Sequence, residues 1–137
     1  MDGVDERAEG TLRQSREQRG SEIEGKLQQD SSIDGILSLG GDMSGAAVAA
    51  VESTGSTAKI GTFDVNADVV QNIIDGKIVF AIDQQPYVQG YMAVSSLYLY
   101  LKNGNDIGGG KPVLTGPSFV DKTNIATILP FTKKNTR

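Results

Sequence analysis

Past residue 33 the chain alternates between short apolar runs and longer segments whose aliphatic and small residues recur at helical spacing. The run Ile36-Leu37-Ser38-Leu39 is a strand candidate ended by Gly40-Gly41. Asp42 stands where an N-cap is expected before Met43 to Thr54, whose Ala and Val content suits a buried helix, and Gly55 stops it. Lys59 to Phe63 reads as a second strand, and Asn66 as the N-cap of a helix through Ile74. Asp75-Gly76 turns the chain into a third strand, Ile78 to Ile82. Pro86 opens a long helix to about Leu101, because a proline's missing N–H costs nothing in a first helical turn. Val88, Met92, Ser95 and Leu99 share one side of that helix and predict its core face. Asn103-Gly104 closes it, and Gly108-Gly109-Gly110 forms a flexible loop. Pro112 to Leu114 reads as a final strand, followed by an irregular tail with Phe119, Ile125, Ile128 and Phe131. This order predicts an α/β fold, a parallel sheet flanked by helices.

Residues 1–32 break the pattern. Asp5 to Gln29 is rich in Glu, Arg, Gln and Gly, with Leu12, Ile23 and Leu27 its only large aliphatics. Such a segment forms a solvated helix that buries little, or stays partly disordered. The chain therefore divides into this polar segment, a core at 33–85, the long helix at 86–104 and a glycine-rich closing segment at 105–137.

Composition narrows the chemistry. With 137 residues there is room for one modest core. The net charge of −4, with only Lys133-Lys134 as a basic pair, predicts no nucleic-acid partner. Histidine and cysteine are absent, which removes a Cys/His zinc site, a cysteine nucleophile and a histidine base. No phosphate-cradling glycine motif is present either, so no cofactor and no enzymatic activity are expected. No apolar run is long enough to span a bilayer. The start, MDGVDERAEG, lacks the basic and apolar regions of a signal peptide, so the chain as written is expected to stay in the cytoplasm.

In open α/β sheets ligands bind beyond the carboxyl ends of the strands. Polar residues collect at those ends: Gly40, Gly41 and Asp42 after the first strand, Asp64 and Asn66 after the second, and Asp83, Gln84 and Gln85 after the third. Carboxylates and amides suit sugar hydroxyls, since each makes several hydrogen bonds and a charged acceptor makes strong ones. Against that, Asp42 and Asn66 also serve as helix caps, and Asp83, Gln84 and Gln85 also read as solvated turn residues.

The segment from Ile60 to Ile125 resembles sugar-binding proteins of the ribose-binding type, which have the type I periplasmic-binding-protein fold. Phe63-Asp64, Asp75-Gly76-Lys77, Gln84, Pro86 and Gly90 occupy the places of that family's pattern. Ile33 to Gly55 resembles its preceding strand and helix, and VLTGPSFVDKTNI its closing strand. The resemblance implies the capture component of a bacterial ABC importer, which closes two lobes on a monosaccharide and delivers it to a membrane permease. It places Asp64 and Gln84 on sugar hydroxyls and Asp42 near a further ligand position. It also matches Arg7-Ala8-Glu9-Gly10 to an Arg-x-x-Gly segment, with Asp5 as the alternative ligand there. The family works in the periplasm or cell envelope.

Two departures qualify this. Nothing matches the N-terminal lobe, so the chain resembles an incomplete C-terminal lobe. Between Gly10 and Ile33 the family has a helix, a strand and a helix, and too few residues are present for all three, so an edge strand is expected to be missing. The helix from Pro86 to Leu101 would pack on the absent lobe. Leaving Val88, Met92, Leu97 and Leu99 in water forfeits several kcal/mol at roughly 25 cal/mol per Å². The chain is therefore expected to self-associate through this helix, to fold it back on its own sheet, or to be poorly soluble. The effector-binding domain of a LacI-type transcription regulator is the alternative reading, since it shares the fold. A small α/β enzyme or nucleotide-binding module stands behind both.

Overall fold

A computed structural model describes residues 6–134, 136 and 137, with side chains from residue 17 onward. The first element, α1 (Glu6–Gln29), is a single helix where the sequence left helix and disorder open. Its hold on the rest comes from Ile23 and Leu27, one turn apart, which pack with Ile33, Ile36, Ala50, Val51 and Ala58. Ser53 Oγ adds a bond to Glu24 Oε1 at 2.7 Å. One continuous helix thus fills the interval where the resembling family has helix, strand and helix.

The strands β1 (Gly35–Ser38), β2 (Lys59–Phe63) and β3 (Phe80–Asp83) pair in parallel, in that order. β4 (Ser118–Asp121) adds antiparallel to β3, with Ala81 opposite Val120 and Asp83 opposite Ser118. The parallel sheet flanked by helices is therefore present. The final strand is not at Pro112 to Leu114, however. Leu114 is largely exposed, and pairing begins only after Pro117, since a proline has no N–H for the ladder. Composition misplaced this strand, whereas the family-like segment VLTGPSFVDKTNI contains it.

Between strands run α2 (Gly41–Thr54) and α3 (Ala67–Ile74). Asn66 caps α3 as expected, accepting from the Val69 N–H at 2.9 Å. Asp42 does not cap α2. Gly40, extended, takes the N-cap place, which moves Asp42 into the first helical turn. A carboxylate still favours the helix there through the partial positive charge of the N-terminus. Gly55 ends α2 at φ 66, in the left-handed region that glycine enters freely.

The core lies on one face of the sheet. Ile60, Ala81 and Val120 meet Ala47 and Val48 of α2, Val69, Val70 and Ile73 of α3, and Ile125 and Ile128. The last two belong to α5 (Ile125–Thr132), a helix where an irregular tail was expected. Its buried residues, Ile125, Ile128 and Thr132, follow helical spacing, but Pro130 inside it obscured the signal. On the other face Gly61 lies beneath the Phe80 ring, and Leu37 and Phe119 are more than half exposed.

The long helix α4 (Pro86–Asn103) begins at Pro86 as expected and ends at Gly104, φ 67. None of its residues is buried. Met92, Ser95 and Leu99 are only partly covered and Val88 is exposed, so the expected core face is not a core face here. Nor is α4 folded back on its own sheet.

Candidate functional site

Three parallel strands put three carboxyl ends on one rim, and the polar residues beyond them form the candidate site. Asp64 follows β2 directly. Its backbone N–H continues the ladder to the Ile82 carbonyl at 2.9 Å, while its φ of 66 turns the chain left-handed. Aspartate is among the few side-chain-bearing residues that tolerate this conformation, at an energetic cost that functional sites commonly carry. Gln84, one residue past β3, donates from Nε2 to Asp64 Oδ1 at 2.6 Å. Adjacent parallel strands thus bring together two residues 20 positions apart, both exposed at the rim.

The backbone of Gln84 is tied down from two sides. Its carbonyl accepts from Gln89 Nε2 at 2.7 Å and from Thr115 Oγ1 at 3.0 Å. Gln85, also left-handed at φ 57, returns a bond from Nε2 to the Thr115 carbonyl at 2.5 Å. Beside this crossing of two segments is a shallow hollow of about 390 Å³, lined by Phe63, Ile82, Gln84, Gln89, Leu114 and Pro117 among others.

Directly below lies Asp83, for which the sequence left a strand-end ligand and a solvated turn residue both open. Asp83 is 1% exposed. Its Oδ1 accepts from the Gln85 N–H at 2.7 Å, and its Oδ2 meets Arg137 Nε at 2.8 Å. Arg137 also donates from Nη2 to Ser118 Oγ at 3.1 Å. A buried carboxylate needs such partners. Strand alternation from Ala81 offered one signal that Asp83 points inward, but no local pattern names a cation 54 residues away.

Asp42 falls elsewhere. It lines a hollow of about 520 Å³ between α1 and the starts of α2 and α3, with Glu17, Ser21, Glu24, Asn66 and Asp68. Of the remaining expected ligands, Asp5 lies outside the described residues. Arg7 lies in α1, with its side chain outside them.

The Asp64–Gln84 pair offers carboxylate oxygens and an amide group at one place. Ionised Asp64 only accepts, with lone pairs beyond the one Gln84 uses, and the amide oxygen of Gln84 accepts too. This donor-hungry rim suits a ligand carrying several hydroxyl groups.

Proteins of known structure share this α/β unit. Residues 2–106 match the periplasmic binding protein domain family, and the chain belongs to it. Its fold is of the type I class. A xylose/arabinose-binding protein of Sulfolobus acidocaldarius is 38% identical over 77 residues, which are 56% of this chain and 19% of that protein. The crystal structure of a carbohydrate transporter from Acidothermus cellulolyticus 11B, in complex with myo-inositol, matches with a TM-score of 0.85 and 49% identity. That match covers 89% of this chain and 43% of the other. The Caulobacter myo-inositol binding protein bound to myo-inositol matches with a TM-score of 0.70 and 25% identity, over 82% of this chain and 38% of the other. The chain spans less than half the length of these relatives.

Proposed function

We propose that this chain forms one wall of the ligand cleft in a sugar-binding component of an ABC importer, with Asp64 and Gln84 as its hydroxyl-binding residues. The observation that carries the reading is the 2.6 Å contact between Gln84 Nε2 and Asp64 Oδ1 at the carboxyl ends of adjacent parallel strands. The ligand is a monosaccharide or a similar polyhydroxylated ring. Myo-inositol heads the candidates, because it is bound in the Acidothermus relative at 49% identity. Asp42, Arg7 and Asp5 are secondary candidates on the family resemblance alone. The protein that contains this wall works in the periplasm and passes its ligand to a membrane permease.

One wall makes few hydrogen bonds and does not exclude water, so the affinity of this chain by itself is expected to be millimolar or weaker. Nitrogen-15 NMR titration with myo-inositol, ribose, xylose, arabinose and glucose is the test. The expected result is a ligand-dependent shift of the Asp64 amide and the Gln84 side-chain amide, abolished in Asp64→Ala and Gln84→Ala. Shifts that survive both substitutions, or no shift from any of the five compounds, would refute the assignment. Micromolar binding would overturn the one-wall argument.

A further inference from the structure

Asp83 is buried one residue before Gln84, and its carboxylate acts across Gln84 rather than on a ligand. Oδ1 accepts the Gln85 N–H at 2.7 Å, which closes an Asx turn around the sugar-facing residue. Oδ2 meets Arg137 Nε at 2.8 Å. We propose that Asp83 and Arg137 are positioning residues for the sugar site, Asp83 holding the turn that aims Gln84 at Asp64 and Arg137 holding Asp83. That role rests on the reading of Gln84 as a hydroxyl-binding residue.

Three observations favour positioning over stability alone. First, Gln85 is left-handed at φ 57, a conformation that a residue with a side chain keeps only where its surroundings hold it. The Asp83 carboxylate holds its N–H, and the Thr115 carbonyl holds its side chain. Gly116 passes so close that a side-chain carbon there would lie 3.1 Å from the Asp83 carbonyl oxygen. Second, Arg137 grips with two nitrogens, Nε on Asp83 and Nη2 on Ser118 Oγ at 3.1 Å. Ser118 stands opposite Asp83 in the β3–β4 ladder, so one planar guanidinium fixes the carboxylate against the neighbouring strand. The preceding residue is anchored too, since the Thr136 N–H and hydroxyl both donate to the Phe131 carbonyl in α5. Third, a buried ion pair is weak evidence of stability, because apolar side chains of similar volume often fill such a place as well. An apolar side chain has no acceptor for the Gln85 N–H, and that contact is what the carboxylate adds.

Nitrogen-15 NMR of the full chain reads the turn without any sugar. In the parent the Gln84 side-chain amide should be shifted from the position of a solvated glutamine, because it donates to Asp64. Asp83→Ala, Arg137→Met and the double variant Asp83→Ala/Arg137→Met should return it to that position. The Asp64 amide, bonded to the Ile82 carbonyl, should keep its protection from exchange in all three. The double variant strands no charge, so it should fold even where Asp83→Ala does not, regaining stability without regaining the Gln84 signal. Ile128→Val, a core change away from the turn, should lower stability and leave that signal at its parent value. In titrations with myo-inositol the Arg137→Met and double variants should bind at least about threefold more weakly than the parent, and Ile128→Val should match it. A parent-like Gln84 signal or parent-like sugar affinity in either variant would overturn the proposal, as would the same Gln84 change in Ile128→Val. A parent that shows no sugar shift would overturn the sugar reading and the role built on it, and the sugar-free signals distinguish that failure from a failure of the pair.

Discussion

Replacing Arg137 by methionine tests whether the buried ion pair beneath the rim organises it. The substitution keeps much of the side-chain volume and removes the charge, so Asp83, 1% exposed, loses its cation. At 2.8 Å the pair's attraction is about 6 kcal/mol with an effective dielectric near 20, most of it offset by the desolvation of both groups. Removing one partner of a fully buried pair typically costs about 3–5 kcal/mol, because the remaining charge is stranded. Two features reduce that here. The Arg137 side chain is 26% exposed, which admits water, and Asp83 keeps the Gln85 N–H. The expected loss is about 2–3 kcal/mol. Urea unfolding of the parent, Arg137→Met, Asp83→Asn and the double variant closes a thermodynamic cycle that isolates the pair. The double variant should recover part of the loss, since no buried charge remains. Hydrogen exchange of the Gln85 amide should also accelerate more than the global destabilisation accounts for, as Asp83 Oδ1 is its acceptor. Arg137→Met within about 0.5 kcal/mol of the parent would place the pair among weak surface pairs and refute the reasoning.

Other outcomes follow from single contacts. Gly61→Ala places a Cβ 2.5 Å from the Phe80 ring, so it should cost about 1–3 kcal/mol in chemical denaturation, with much of the loss recovered by adding Phe80→Leu. Asp64→Gly removes the side chain from a left-handed position and should raise stability by up to about 1 kcal/mol while abolishing the sugar-induced shifts. The carboxyl of Asp121 is held below the usual range by hydrogen bonds from the Thr123 hydroxyl and backbone. Its contribution to stability is complete above the unfolded pKa and disappears as pH falls through the lower, folded value. Thr123→Ala should therefore move the Asp121 titration, read by carbon-13 NMR, back toward the ordinary carboxylate range.

Local chemistry was readable wherever a short stretch of chain decides the outcome. Asn66 names its helix because a side-chain acceptor must meet the Val69 N–H three residues on. Pro86 and Gly104 mark α4 because one lacks a donor and the other takes positive φ. The Asp64–Gln84 contact was half readable. Parallel alternation puts both residues on one rim, but only the family pattern separated Gln84 from Asp83 and Gln85. Asp42 was misread as a cap because a glycine, which has no cap side chain, took the position two residues earlier. β4, α5 and the Asp83–Arg137 pair were hidden for a common reason. Each is decided by a partner far along the chain, and Pro117 and Pro130 obscured the local pattern on the way.

The long helix shows most clearly what periodicity encodes. Val88, Met92 and Leu99 on one side, and Tyr91, Val94 and Tyr98 on another, all call for cover, yet α4 buries nothing. A helix apolar on several sides belongs in an interior. The pattern states that demand without naming the supplier, because hydrophobic burial is non-directional and any complementary apolar surface satisfies it. The sugar-facing rim is different in kind. Asp64 is held by the strand ladder, and the Gln84 carbonyl by Thr115 and by Gln89 in the first turn of α4, all within the chain itself. Ligand contact and helix cover are therefore separable properties. A Val94→Glu protein, altered on the exposed side of α4, should still show the same myo-inositol shifts at Asp64 and Gln84.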